Sequence, residues 1–468
     1  MLGLFLLPGI FLLLFSAENL PGKDIYWYGV QAKSLISTGQ LHSPDLSFVF
    51  RIVELIFRIF GESERSLFIF GFLTYFFLIS CGFLTIRFSK TILSDEEIDR
   101  GNFPFFLFLS GIWISFLYPK QAWGLGFFSI GISFYLRFLM DHKNIYKKSK
   151  YLILSLFLIG ISVLAHSVFL IFGIVFGLGF FLDKIVQKNS WKILNITSIT
   201  FVLVILFYIA RIYIFNFTFG GRIEAANNFD VPLLDAHRIY GIAFVLEWVL
   251  IFLFLILERK SVFLICILGA LLLPWASFAD LQFRILLSIL WISELFLRGS
   301  QKAYISGILI CFIWFLGIKS DSNKFSHDYP GFRKAVEGFP KKFEPGLLIA
   351  HHGFCEFIKF YKEYDCLSWK PDDKAINELP KNSEVYRIVK DFSYRELDSA
   401  FDPKGKRIFK APIISLDNYL LVNETDWDYF HSIKKQERDE ESLSRIESWV
   451  NPFRERPKFI LKKYEGSK

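Results

Sequence analysis

Cysteine is scarce in this sequence, and its scarcity argues against a scaffold held together by many disulfides: the chain has five cysteines in 468 residues. Three of them lie in apolar runs, where a thiol behaves as a small hydrophobic group: Cys81, Cys266 and Cys311. A helix predicted over 354–364 would separate Cys355 from Cys366 by ~16 Å along its axis, beyond the ~7 Å between Cα atoms that a disulfide allows. We therefore expect both to be free thiols.

The sequence also lacks the glycine-rich motifs that bind nucleotides. Neither G-x-x-x-x-G-K-[ST] nor G-x-G-x-x-G occurs, so no nucleotide cofactor is predicted. Charged residues make up only 21% of the chain, and its net charge of +8 comes with basic residues grouped in short loops. They form no basic stripe with interleaved aromatics, so nucleic acid is not an expected partner.

Apolar residues are abundant instead. The chain is 53% hydrophobic and contains 57 phenylalanines, and its mean hydropathy is +0.40. This composition indicates a polytopic α-helical membrane protein. About eleven transmembrane helices are predicted from the apolar runs. They lie at roughly 1–17, 66–88, 103–118, 123–140, 151–165, 167–183, 193–215, 239–257, 261–278, 283–298 and 303–319.

The basic short loops predict the orientation of these helices. With an odd number of spans they all fall on one face, which the positive-inside rule makes cytoplasmic. The N-terminus is then inside and the tail 320–468 outside. The first span has no basic residues before it and a poor cleavage site after it, so we expect it to be retained as a helix. Both flanks of 151–183 are basic, which predicts a hairpin with His166 at its outer tip.

The first outer loop is predicted to contain two helices that lie on the membrane. Residues 24–38 end at Gly39, a residue type typical of helix C-termini. Residues 46–60 carry apolar side chains at helical spacing on one face and charged ones on the other, and they end at Gly61. An amphipathic helix that is too polar to span a bilayer belongs in the plane of its interface.

The same loop carries two short motifs. The pattern D-x-x-x-Y occurs at Asp24 and Tyr28, and P-D-x-S follows at 44–47. Together with an inside-start first helix and a second juxtamembrane helix, this arrangement resembles the GT-C glycosyltransferases, which include the protein O-mannosyltransferases and the bacterial lipid A aminoarabinose transferase. The resemblance implies an inverting glycosyltransferase with a polyprenyl-phosphate-linked sugar donor. It also implies a multi-pass protein of the cytoplasmic (inner) membrane of a bacterium.

The resemblance assigns roles to two residues. Asp24 matches the general base that activates the acceptor; its alternative role is the N-cap of helix 24–38. Arg284, at the outer mouth of a predicted span, resembles the basic residue that binds the donor phosphate; its alternative role is an interfacial arginine that snorkels to the membrane surface. The neighbours of Asp24 are Lys23 and Ile25 rather than a second acid, so no metal site is predicted.

Other polar residues of the predicted outer face are candidate substrate contacts. Lys120 and His166 lie in short outer turns. One loop gathers several ionisable groups, which suits a polar substrate but equally a solvated loop: Arg222, Glu224, Asp230, Asp235, His237 and Arg238. Arg211 and Glu247 lie within adjacent predicted spans, where a structural ion pair is the favoured interpretation.

The tail 320–468 is predicted to be a small extracytoplasmic α/β domain, following a transmembrane domain over 1–319. Its strand and helix patterns lie at 346–350, 353–364, 366–369, 384–389, 418–422 and 458–461. Adjacent residues at a strand end point to opposite sides, so His351 and His352 are not expected to share a metal. Asp426 and Asp428 resemble a D-x-D motif, but we interpret them as acids of a helix's first turn.

The favoured function is therefore transfer of a sugar from a polyprenyl-phosphate-linked donor to a lipid, glycan or protein acceptor at the outer face. The expected partners are that donor, the acceptor and the bilayer. The alternative is a transporter or flippase of lipid-linked glycans, or a polymerase or ligase that uses the same lipid. A transporter is expected to show internal repeats, and no convincing half-to-half similarity is present.

Overall fold

The chain divides into two compact units, Met1–His327 and Asp328–Lys468, in the computed structural model of the protein. The structure describes residues 20, 22–93, 107–140, 145–170, 172–174, 176–177, 179, 229–230, 242–257, 275–276, 281–296, 327–340, 346–362, 364–368, 384–390, 397, 401–402 and 404–436.

Two short helices form the first loop, as the sequence predicted. Helix α1 is Ile25–Thr38 and ends at Gly39, whose φ of 74° places it in the left-handed region that glycine adopts readily. Helix α2 is Val49–Phe60 and ends at Gly61. The face of α2 that contains Val53 and Phe57 is buried, whereas Leu55, Ile59 and Phe60 are exposed. That exposed apolar edge is consistent with a helix at a membrane interface.

Six further helices of the first unit have both ends among the described residues. They are α3 Glu64–Leu93, α4 Leu107–Leu117, α5 Pro119–Met140, α6 Ile145–Ala165, α7 Ile242–Leu257 and α8 Leu281–Phe296. Two segments, Glu64–Phe88 and Pro119–Leu139, are long and apolar enough to cross a bilayer, and Ser149–Ala165 is a shorter apolar helix. The eleven-span count remains a prediction, because the spans at 1–17, 193–215 and 303–319 lie outside the described residues.

One predicted span is wrong at its C-terminal end. Residues Trp275–Ala276 of the span 261–278 form strand β2, which pairs antiparallel with strand β1, Phe229–Asp230. In the sequence Pro274 directly precedes this strand, and proline is disfavoured inside a helix because it has no backbone N–H.

Trp291 of α8 packs the helices of the first unit together. Its ring is fully buried, and its indole N–H donates a hydrogen bond to Ser129 Oγ of α5 at 3.0 Å. Gly82 of α3 and Gly111 of α4 make room for it, because a Cβ at either position would lie 2.8 or 2.9 Å from ring carbons of Trp291. Small residues that admit a large neighbour are a common way for membrane helices to approach closely.

The second unit is an α/β domain, as predicted. Its described helices are α9 (Tyr329–Glu337), α10 (His352–Lys362) and α11 (residues 424–436). Its strands are β3 Leu347–Ile349, β4 Cys366–Leu367, β5 Val385–Lys390, β6 Ile414–Leu416 and β7 Tyr419–Asn423. They form a mixed sheet in the order β4-β3-β5-β7-β6. β3 is parallel to both of its neighbours, whereas β7 is antiparallel to β5 and to β6.

The expectation of two free thiols in this unit is wrong. Cys355 and Cys366 form a disulfide, with their Cα atoms 5.1 Å apart. The estimated separation assumed a helix running as far as residue 364, but α10 ends at Lys362 and the chain then turns back into β4. Since β4 lies beside β3, its first residue returns to the first turn of the helix that follows β3.

Helix α11 confirms the helical interpretation of the D-x-D sequence. Asp426 lies in its first turn, and its carboxylate accepts hydrogen bonds from the backbone N–H groups of Lys410 and Ala411 at 2.8 and 2.9 Å. The apolar side of α11 packs through Trp427 and Phe430 onto β7.

The sequence analysis did not predict strand β6. The turn Asp417–Asn418 that joins β6 to β7 is a residue pair typical of β-hairpins, and Asp417 has a φ of 60°.

Candidate active site

Asp24 occupies the N-cap position of α1, but its side chain makes no capping hydrogen bond to the helix. It is half-buried. Its backbone carbonyl accepts the N–H of Tyr28 at 3.3 Å, so the first turn of the helix closes through the backbone alone. The alternative interpretation of Asp24, a residue retained because its carboxylate caps α1, therefore gains no support from the geometry.

Gly22 fixes the path of the backbone just before Asp24. Gly22 has a φ of 109°, and a Cβ there would lie 2.4 Å from the carbonyl oxygen of Phe116, near the end of α4. Only glycine meets both conditions. This close backbone contact brings the start of α1 beside the turn that joins α4 to α5, the turn in which the sequence placed Lys120.

Lys120 lies in the first turn of α5, directly after that turn, and connects it to the first loop. Its backbone N–H donates to the hydroxyl of Tyr28 at 3.1 Å, and its ammonium forms an ion pair with Asp45 Oδ2 at 2.6 Å. The same Nζ lies 5.2 Å from the ring centroid of Trp27 and 5.3 Å from that of Phe50, which are cation–π distances. The sequence predicts Lys120 as a candidate substrate contact, whereas Asp45 stands out there only as part of the P-D-x-S motif.

The P-D-x-S segment also reaches the turn that contains His166. Asp45 Oδ1 accepts the backbone N–H of Ser47 at 2.8 Å, and the Ser47 hydroxyl donates to the carbonyl of Ala165 at 2.7 Å. Ala165 is the last residue of α6, and helical residues resume at 168. The predicted break at His166 is thus confirmed, and residues 45–47 bridge the turns of Lys120 and His166.

Arg284 lies in the first turn of α8. One turn later Ser288 accepts a hydrogen bond from the side chain of Gln121, the neighbour of Lys120, at 2.6 Å. Residues four apart share one face of a helix, so position 284 lies on the α8 face that meets the start of α5. The structure thereby places the backbone positions of two predicted substrate contacts, 120 and 284, on adjoining elements.

Two further carboxylates of this region have structural partners. Glu64, in the first turn of α3, accepts a hydrogen bond from the hydroxyl of buried Tyr26. Glu54 of α2 accepts hydrogen bonds from Arg51 at 2.8 Å and from Arg58 at 2.8 and 3.0 Å. The hydrogen bond from Arg51, followed by that from Arg58, holds the pKa of Glu54 below its usual value. A carboxylate that is hydrogen-bonded to two guanidinium groups is a poor proton acceptor, so Glu54 is not a candidate general base.

Several predicted residues remain untested. Arg211, Arg222, Glu224, Asp235, His237 and Arg238 lie outside the described residues. Asp230 lies in β1, paired with Trp275. Glu247 is buried in α7, and its predicted ion pair with Arg211 stays a prediction.

His351 and His352 correct another expectation. Their ring centroids lie only 4.1 Å apart, whereas adjacent residues of a strand were expected to point to opposite sides. The reason is that β3 ends at Ile349 and α10 begins at His352, so neither residue is in the strand. His351 directly precedes α10, and its Nδ1 accepts a hydrogen bond from the backbone N–H of Gly353 at 3.3 Å.

No protein-family model matches the sequence, and a search of curated proteins finds no significant match. Comparison with solved structures instead finds proteins that share the fold of this chain. Two crystal structures of ArnT from Cupriavidus metallidurans match this chain, one in the apo state and one bound to undecaprenyl phosphate, with TM-scores of 0.54 and 0.56. Each match covers 90% of this chain, with 97% and 98% of the ArnT chain, at 12% sequence identity. At this identity the two matches show that the chain shares the fold of ArnT.

Proposed function

We propose that the protein is a membrane glycosyltransferase that moves a sugar from a polyprenyl-phosphate-linked donor to an acceptor hydroxyl or amine, with Asp24 as general base. The observation that carries the proposal is the contact of the first loop with the α4–α5 turn, which brings the start of α1 and the Lys120 ammonium to one region. An ArnT of the same fold has been crystallised with undecaprenyl phosphate, and this supports a polyprenyl phosphate as the lipid partner.

The chemistry follows from these groups. The acceptor oxygen or nitrogen attacks the anomeric carbon and transfers its proton to Asp24. As that bond forms, the bond from the anomeric carbon to the phosphate oxygen breaks, and polyprenyl phosphate leaves with the electron pair. Lys120 and Arg284 stabilise the charge that develops on the leaving phosphate. A single displacement of this kind inverts the configuration of the anomeric carbon.

The disulfide of the second unit supports the extracytoplasmic orientation of that unit. Disulfides form and persist in oxidising compartments such as the bacterial periplasm, and they are rare in the cytosol. The second unit, residues 328–468, contains the disulfide between Cys355 and Cys366 and is therefore expected on the outer face of the cytoplasmic membrane. The positive-inside pattern of the loops favours the same orientation.

The test is an assay of transfer with purified protein and a panel of labelled polyprenyl-phosphate sugars. The proposal expects label to leave one donor of the panel and to appear on an added acceptor fraction, with undecaprenyl phosphate as the second product. Movement of an intact labelled lipid across a vesicle bilayer, without cleavage of the sugar, would instead identify a flippase. Release of the lipid together with a lengthened glycan would identify a polymerase.

A further inference from the structure

The Lys120 ammonium is enclosed by the loop on which the proposed base lies. Rings of Trp27 and Phe50 flank it at 5.2 and 5.3 Å, and the Asp45 carboxylate meets it at 2.6 Å. Both members of the ion pair are largely removed from water, with 18% of the Lys120 side chain and 23% of the Asp45 side chain exposed. The Asp45 carboxylate therefore already occupies the position at which an anion would bind the Lys120 ammonium.

The segment that carries Asp45 is built as a short irregular strap. The backbone N–H of Ser43 donates to Gln31 Oε1 at 3.2 Å at one end, and the Ser47 hydroxyl donates to Ala165 at the other. Between these anchors Pro44 and Leu46 are exposed, and no helix or strand includes them. Displacement of Asp45 from Lys120 would require a rearrangement of residues 44–46, which lie between these two anchors.

We propose that Asp45 is a competing internal anion for Lys120: it occupies the ammonium when no donor is bound, and the lipid phosphate displaces it. This inference rests on the proposed function. A phosphate and a carboxylate at the same ammonium repel each other, so Asp45 lowers the affinity of the site for any phosphate. It thereby sets how tightly substrate and product are held.

Because substrate and product carry different charges, competition by Asp45 affects the release of the product more than the binding of the donor. The donor is a phosphodiester with a single negative charge, whereas the product is a phosphomonoester with a charge of about −1.5 to −2 at pH 7. Lys120 alone would hold the product more tightly than the donor, which would slow release. A carboxylate that returns to Lys120 when the phosphate begins to leave shortens the lifetime of the product complex.

The decisive variant is Asp45→Asn, with binding of undecaprenyl phosphate as the readout. An Asn side-chain oxygen can still accept the Ser47 N–H, so the turn is preserved while the competing charge is removed. If the strap is closed in about nine of ten molecules, the apparent Kd falls about tenfold in the variant. Inhibition of transfer by added undecaprenyl phosphate should strengthen by a similar factor.

Two controls make the result specific. Glu54→Gln removes a carboxylate of the same loop that is paired with Arg51 and Arg58, and it should leave undecaprenyl phosphate binding unchanged. Lys120→Gln should weaken binding, and in the Lys120→Gln background Asp45→Asn should lose its effect, because the two residues act on one interaction. Undecaprenol, which lacks the phosphate, should bind all these variants alike.

Other outcomes separate the inference from the proposed function. If Asp45→Asn weakens binding as much as Lys120→Gln does, Asp45 positions Lys120 rather than competing for it, and the inference is overturned. If Asp45→Asn binds like the wild type while Lys120→Gln binds more weakly, the inference also fails but the phosphate site stands. If wild-type protein binds undecaprenyl phosphate no better than undecaprenol, the proposed function itself fails, and the inference falls with it.

Discussion

Asp24→Asn is the sharpest test of the proposed chemistry. The substitution keeps the size and the hydrogen-bonding oxygen of the side chain but removes its ability to accept a proton. Asn caps helices about as well as Asp, and the Asp24 side chain makes no capping hydrogen bond in the structure. The start of α1 and the contact of Gly22 with Phe116 should therefore be unchanged, and so should the thermal stability of the protein.

The expected effect on turnover is large. Loss of a general base typically slows a reaction by ~10²–10⁴-fold, which corresponds to about 2.7–5.4 kcal/mol of transition-state stabilisation. If Asp24 acted only as a helix cap, Asp24→Asn would leave both stability and turnover near the wild-type values, because Asn caps about as well as Asp. Because the base acts in the transition state, kcat should fall while the affinity for undecaprenyl phosphate stays at the wild-type value.

The assay is single-turnover transfer of labelled sugar from the donor that the wild type uses, with lipid binding measured in parallel. Glu62→Gln is the matched control, because it neutralises a carboxylate of the same loop whose side chain is 42% exposed and whose contact with Lys33 is 3.9 Å long. It should retain wild-type turnover. Near-normal transfer by Asp24→Asn would remove Asp24 from the mechanism and with it the main residue-level support for the proposal.

Three further predictions follow from the packing, the disulfide and the orientation. Gly82→Ala places a Cβ 2.8 Å from the buried ring of Trp291, so overpacking should lower stability by ~1–3 kcal/mol, measured by thermal unfolding in detergent; an unchanged unfolding temperature would contradict the packing. Cys355→Ser with Cys366→Ser removes a crosslink across a sequence separation of 11, which should destabilise the second unit by up to about 3 kcal/mol, and native protein should show no reaction of these thiols with alkylating reagents before reduction. Single cysteines introduced at positions 146 and 380 should react with a membrane-impermeant probe only at 380 in intact cells, and the reverse pattern would invert the topology and place Asp24 in the cytoplasm.

The sequence alone was sufficient where a local pattern has one physical solution. A helical apolar spacing that ends at Gly39 or Gly61 predicts α1 and α2 and their ends, because left-handed backbone at a helix terminus favours glycine. The basic flanks of 151–183 likewise predicted a break at His166. Alternation of strand and helix patterns in the tail predicted an α/β unit, although the short β6 carried too few residues to be recognised.

Tertiary structure decided everything that depends on residues distant in sequence. Asp45 and Lys120 are 75 positions apart, and Gln121 and Ser288 are 167 apart; no local periodicity reports such pairs. The disulfide was missed for the same reason, since the distance between Cys355 and Cys366 depends on where α10 ends and which strand β4 joins. The amino-acid sequence by itself therefore determined the membrane class and the loop helices, because these follow from hydropathy and helix termini. The candidate base, Asp24, came from the resemblance to the GT-C glycosyltransferases. The packing of the helices alone decided which charged groups form ion pairs, because the attraction between opposite charges depends on the distance that the fold sets between them.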